Sequence, residues 1–341
     1  MNNNNCFDFL RFFFAFDILL AHLWELSESS SLFFLSRITD SSIAIKGFFV
    51  ISGFLVAKSY TNTPSLKEYF IKRAKRILPA YIFVILFSTI LLSVFSNYSF
   101  YNYFTNISTY QYVAWNLVFL NFVHPCLPGI FDNNLLCAVN GALWTLKVEE
   151  GFYIILPLVF YLITKFKKPF FILFLIYIAS LVYWYIMHFY FNKPLLSKQL
   201  PGQMAYFSVG ILSYLYFSHL MNYKLKIVLG SVFILILSYY FPLSFSFFYP
   251  AALGLIVIIS AYSLPIFNNF GKYGDFTYGL YIFHFPVIQL FRQYDLFEKY
   301  NPFFIGVLVV LLSFSLAIFS WFVIEKRFLD RYKIRNNASQ N

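Results

Sequence analysis

Arg11 and His22 share one apolar stretch, Phe7 to Trp24. An ionisable side chain at membrane depth costs about 2.5–3.5 kcal/mol on insertion scales, and such residues mark functional sites. Eleven positions separate the two. At about 100° per residue the offset is about 1100°, three turns and roughly 20°. A helix therefore carries both on one face, about 16 Å apart along its axis. Arg11 falls near one end of the span, and His22 lies deep in it or near the far end. A cation at the mouth and a titratable base inside suit a charged ligand that enters and a proton transfer that happens within. The simpler readings are a snorkelling anchor for Arg11 and a buried neutral imidazole for His22. Asp17 and Glu25 weigh against them. Glu25 follows His22 by three residues, on the same face, and is placed to orient its imidazole. Asp17 is off that face, where it suits a pairing with another helix, and its role stays open.

Four other segments carry candidate chemistry. In Lys46-Gly47-Phe48-Phe49-Val50-Ile51-Ser52-Gly53, the exposed backbone at Gly53 suits either close helix packing or approach to a ligand. In Lys72-Arg73-Ala74-Lys75-Arg76-Ile77-Leu78-Pro79, Arg73 and Arg76 stand i,i+3, and Pro79 reads as a helix start. Two guanidiniums on one face suit a di- or triphosphate, although topology or anionic lipid also explains such a cluster. Asn140-Gly141-Ala142-Leu143-Trp144-Thr145 leads into a span that holds Glu149 about one turn inside, followed by Tyr153. Glu149 suits a salt bridge, a pairing with His22 or a sugar hydroxyl. Trp144 suits a sugar face or an interfacial belt. Tyr278 to His284 supplies a second buried imidazole, a type more often structural when alone. Glu325 follows the last span and reads as an interfacial pair with Lys326 or Arg327.

These residues need helices to position them. Of 341 residues, 60% are hydrophobic and 11% charged, against about 25% charged in a soluble domain. The expected fold is all-α, a polytopic membrane bundle of about ten transmembrane helices. The spans fall near 7–26, 43–60, 78–96, 144–163, 169–190, 201–218, 226–241, 247–263, 276–292 and 303–323. The Asn-rich start lacks a signal-peptide pattern, so the first span is expected to be retained. Net charge is +11, but the basic residues concentrate in alternate loops, which argues for topology and against nucleic acid. The positive-inside rule then places both termini in the cytoplasm. Tyr60–Leu78 reads as a basic cytoplasmic loop. Asn97–Leu143 reads as a long external loop, in which Trp115–Phe122 is apolar but too short to span. That loop holds Cys126 and Cys137, either a disulfide or two free thiols. No His/Cys cluster points to a metal.

Taken in order, these segments resemble the membrane acyltransferase-3 family over nearly the whole chain. The resemblance rests on Arg11 with His22, the Phe48–Phe54 block, Arg73-x-x-Arg76-x-x-Pro79, Asn140 through Leu146 with Glu149, Phe152-Tyr153, and Tyr278 through His284. Many relatives carry Asp where Lys46 stands, and Asp17 and Glu150 match no motif of the family. The resemblance implies an acyltransferase domain over 1–328 and a short cytoplasmic polar tail over 329–341, in the bacterial inner membrane. It implies a polysaccharide O-acetyltransferase that moves an acetyl group from cytoplasmic acetyl-CoA to an extracytoplasmic glycan, free or polyprenyl-linked. His22, Glu149 and Arg11 would be catalytic, and Arg73, Arg76 and Arg11 would hold the CoA phosphates. Ser52, Gly53, Asn140, Trp144, Tyr153 and His284 would bind substrate or the oxyanion. His22 would act as general base or accept the acetyl transiently. The competing reading is a transporter or flippase of a lipid-linked glycan, although the internal repeats common in transporters are not seen. A glycan polymerase fits least, because 97–143 contains no Arg.

Overall fold

The structure, a computed structural model, describes residues 4–329. Among these no residue is in a strand. Ten helices of the described chain have fifteen or more residues: α1 (Phe7–Ser27), α2 (Ser41–Thr61), α3 (Leu66–Leu92), α4 (Trp144–Phe166), α5 (Pro169–Tyr185), α6 (Leu200–Leu215), α7 (Lys224–Tyr240), α8 (Tyr249–Ser263), α9 (Thr277–Gln293) and α10 (Pro302–Ser320). Each apolar segment read from the sequence coincides with one of them. Several start by familiar rules. Pro169 and Pro302 open α5 and α10, where a missing N–H costs nothing, and Asn301 caps α10 through Phe303 N and Phe304 N. The predicted tail, 329–341, lies outside the described residues except for Leu329.

By length and composition alone, four helical stretches among the described residues can cross a membrane: Ser30–Thr61, Leu66–Phe95, Pro169–Tyr190 and Pro302–Phe328. A fifth is Tyr249–Ser263 with Pro265–Lys272, if that pair, bent by 71°, is one span. The most apolar windows of Pro169–Tyr190 and Pro302–Phe328 are only 17% and 28% buried, as expected of helices that face lipid. Helices α6, α7 and α9 have 16, 17 and 17 residues, somewhat short of the about 20 that a hydrocarbon core takes. Helices α1 and α4 are long enough but carry Asp8, Arg11, Asp17 and Glu25, and Lys147, Glu149, Glu150 and Lys165. Of those charges, Arg11 and Glu149 are among the candidate site residues read from the sequence.

One expectation is corrected here. Pro79 does not start a helix: α3 begins at Leu66 and Pro79 lies inside it. Residues 66–78 are rich in Leu, Lys, Arg, Glu and Ala, which favour helix. Charge keeps a segment out of hydrocarbon but does not stop the helix. Arg73 and Arg76 therefore sit on a helix rather than in a loop. Glu325, read from the sequence as an interfacial pair with Lys326 or Arg327, is 3% exposed, and its Oε1 accepts from Ser320 Oγ at 2.8 Å.

The 97–143 connection holds two short helices, Phe100–Thr105 and Ile107–Leu117, capped by the side chains of Ser99 and Asn106. The apolar Trp115–Phe122 segment is split, because the helix ends at Leu117 and Phe119 has φ 62°. Tyr103 Oη donates to Thr89 O at 2.9 Å, and burial pushes its ionisation well above the ordinary tyrosine range. Cys126 and Cys137 form a disulfide, Cα–Cα 5.3 Å, so one of the two sequence alternatives is realised. Val139 N donates to Pro125 O at 2.9 Å beside it. Wholly buried Gln289 of α9 donates to Leu136 O and Ala138 O at 2.6 and 2.9 Å, which fastens this loop to the helix. Closing a loop this short stabilises by about 3 kcal/mol on the chain-entropy account. Cys126→Ser is expected to lower the detergent melting temperature by a few degrees, whereas Cys6→Ser is expected not to act through a disulfide, Cys6 being a free thiol. An unchanged melt for Cys126→Ser would contradict this.

The chain divides into two compact units. The first comprises residues up to Arg11, Ser42–Phe70 and Val148–Lys272. In it α2 and α6 cross closely. A Cβ on Gly53 would strike the Phe207 carbonyl, and one on Gly210 would strike the Val50 carbonyl. Only glycine at both positions allows that approach. Phe152 stacks on Phe207 at 4.3 Å, and Lys46 Nζ lies over the rings of Tyr249 and Tyr206 at 5.1 and 5.8 Å, a cation–π seat for an intramembrane lysine. The second unit comprises Phe12–Ser41, Ile71–Lys147 and the chain from Tyr273. Its central helix is α9, buried on every side from Thr277 to Gln289. Asp17 of α1 accepts from Asp40 N at 3.2 Å, an amide of the connection just before α2 rather than a group on another helix.

Candidate active site

Helix α9 holds the first cluster. Pro286 lies inside it and has no N–H, so the carbonyl of Ile282, four residues earlier, loses its helical donor. Asn140 replaces that donor, with Nδ2 to Ile282 O at 2.7 Å. Its Oδ1 accepts from Ala142 N at 3.3 Å. Both ends of the amide are thus used to dock the Gly141–Leu143 turn on α9. Thr145 Oγ1 and Tyr281 Oη lie 2.5 Å apart, and Tyr281 Oη donates to Ala142 O at 3.0 Å. A Cβ at Gly141 would meet the Phe285 ring. Trp144, half-buried, follows this turn at the head of α4.

This scaffold fixes His284. Its side chain is wholly buried, and its Nδ1 lies 3.1 Å from Leu280 O. Its Nε2 lies 2.8 Å from Nδ1 of His22. The two rings are nearly parallel, 13° apart with centroids at 5.1 Å, and Phe285 meets His22 edge-on at 5.5 Å. His22 is half-buried on α1. The partner of its Nδ1 is therefore an imidazole 262 residues away rather than Glu25, whose side chain is exposed.

The second cluster ties α3 to the start of α9. Arg76 NH2 lies 2.6 Å from Asp275 Oδ2, with the Asp275 side chain 1% exposed. Asp275 Oδ1 also accepts from Thr277 N at 3.4 Å. An acid at a helix N-terminus satisfies an orphan N–H and faces the positive end of the dipole. Tyr278 Oη donates to Ile77 O at 3.1 Å alongside. Arg73, half-buried, lies one turn before Arg76. Sequence reasoning missed Asp275. Its signal was an acid two residues before an apolar helix begins.

The third cluster belongs to the first unit. Glu149 Oε1 accepts from Tyr153 Oη, one turn along α4, and from Ser52 Oγ at 3.4 Å. Pro157 strips the Tyr153 carbonyl of its helical donor, and Tyr69 Oη replaces it at 3.0 Å. Gly53 beside Ser52 faces α6, which favours the packing reading of that glycine. Arg11, which ends the first chain segment of this unit, lies 3.8 Å from Asp8. The structure thus brings together His22 with His284, and Ser52 with Glu149 and Tyr153. Arg11 sits on the same unbroken helix as His22. Among the described residues no group of three or more His, Cys, Asp or Glu could hold a metal ion.

Apolar helices of membrane-spanning length mark the chain as a membrane protein, and α1 and α9 carry a facing imidazole pair. The acyltransferase-3 model, described as an acyltransferase domain, matches residues 4–324, and the chain belongs to that family. It is an acyltransferase. An O-acetyl transferase of Shigella phage Sf6 is 26% identical over 97% of this chain and 98% of its own length. Nodulation protein 10 of Rhizobium leguminosarum bv. viciae is 27% identical over 84% of this chain and 83% of its own. No solved structure matches the chain.

Proposed function

We propose that this protein transfers an acetyl group from cytoplasmic acetyl-CoA to a hydroxyl of an extracytoplasmic or lipid-linked glycan. The full-length likeness to an O-acetyl transferase supports the acyl group and the oxygen acceptor. The observation that carries the chemistry is the His22–His284 pair, an imidazole held by another imidazole in a helix of the bundle. In this reading His22 takes the proton of the acceptor hydroxyl as its oxygen attacks the thioester carbonyl. The carbon–sulfur bond breaks, and His22 returns the proton to the CoA thiolate. All ten helices cross the bacterial inner membrane, both termini lie in the cytoplasm, and the basic stretch of α3 faces it.

Arg73 and Arg76, one turn apart on α3, are the candidates for the CoA phosphates, and Arg76 also carries the Asp275 carboxylate. Arg11 is a further candidate. Glu149, which already accepts from two hydroxyls, suits a sugar hydroxyl of the acceptor. Asn140 serves to clasp α9, with Ser52 and Tyr153 positioning Glu149.

Reconstituted protein given labelled acetyl-CoA and glycan should release CoA and acetylate the glycan. Arg73→Ala should raise the KM for acetyl-CoA by about 10-fold or more, the loss of a hydrogen-bonded charge worth about 1.5–3 kcal/mol. A protein that neither binds nor consumes acetyl-CoA would overturn the donor assignment.

A further inference from the structure

We propose that His284 is a positioning residue that holds His22 in its Nδ1–H tautomer and leaves Nε2 as the basic nitrogen. The proposal rests on the acyl-transfer reading of His22 for its purpose, but its geometry stands apart from that reading. A backbone carbonyl can only accept, so His284 Nδ1, 3.1 Å from Leu280 O, is a donor. A neutral imidazole with its proton on Nδ1 has a lone pair on Nε2. His22 Nδ1, 2.8 Å from that lone pair, must then donate. In a neutral His22 the remaining nitrogen, Nε2, carries the only lone pair available for a proton.

The reverse assignment puts protons on both nitrogens of His284. That would place a cation on a side chain with 0% exposure inside a helix buried on every side. Buried charge of this kind is costly. The order of the relay therefore follows from one fixed acceptor, the Leu280 carbonyl, at its end.

The arrangement suits the reaction. When Nε2 of His22 takes the hydroxyl proton, His22 becomes an imidazolium, and its Nδ1–H becomes a charge-assisted donor to His284 Nε2. His284 keeps its own proton on Nδ1 throughout, so no proton is lost along the chain. The helix also resists rotation of the relay. Pro286 and the Asn140 clasp fix α9 one turn around His284, and Tyr281 next to it is held by Thr145 and Ala142.

The test uses full-length protein labelled with nitrogen-15 histidine, with the His22 signals assigned by their loss in His22→Asn. The expected result is a neutral His22 with its proton on Nδ1, the minority form of a free imidazole in water. A proton on Nε2 would overturn the proposal whatever the activity. His284→Leu should release His22 from that tautomer and lower kcat by about 10–100-fold with little change in either KM. His284→Gln, whose amide oxygen can accept from Nδ1–H, should keep the tautomer and recover most of kcat. Wild-type kcat in a folded His284→Leu variant, beside an inactive His22→Ala, would sink the proposal and leave acyl transfer by His22 standing. Should wild-type protein not use acetyl-CoA at all, the function fails while the tautomer measurement still decides the relay.

Discussion

His22→Ala is expected to lower acetyl transfer by about 10²–10⁴-fold, the contribution a positioned general base makes. The protein should still insert and still bind acetyl-CoA. His22 is half-buried on α1, and its removal leaves His284 Nε2, a single buried acceptor, without its donor. That loss costs about 1–3 kcal/mol, which a folded membrane protein can survive. The measurement is single-turnover transfer in proteoliposomes, with expression level and donor affinity as controls. Added imidazole should restore part of the rate, because the substitution empties a site of that shape. A variant that keeps more than a tenth of wild-type transfer would remove His22 from the chemistry.

Arg76→Ala should act on stability first. Asp275 is 1% exposed at its side chain, and its Oδ2 lies 2.6 Å from the Arg76 guanidinium. Breaking a buried pair by removing one partner costs about 3–5 kcal/mol, since the remaining charge is left in low dielectric. Replacing both at once, as Arg76→Met with Asp275→Leu, should recover much of that loss. Melting curves in detergent for the single and double variants separate the two cases. If Arg76→Ala melts like wild type and only weakens acetyl-CoA binding, the guanidinium serves the donor and not the fold.

Much of this was legible in the sequence, and for a reason that depends on range. The ten long helices were legible because apolar length is a local property of each segment. The Arg11–His22 stripe was legible because helical periodicity converts spacing directly into a shared face, and α1 is unbroken across both. The start of α3 was not legible, since Pro79 and a run of charge look like punctuation. A helix that leaves the membrane face continues as long as its residues favour helix.

What the sequence determined by itself is the family, the helices and the cost of burying charge at Arg11 and His22. What only the tertiary structure decided is who answers that charge. His22 is answered by His284, Arg76 by Asp275, and the carbonyls opened by Pro286 and Pro157 by Asn140 and Tyr69. Hydrogen bonds act over about 3 Å, and these partners lie 84 to 262 residues apart along the chain. A local pattern can show that a partner is required. Naming it takes the packing of helices within each unit, where an orphaned group and its partner first meet.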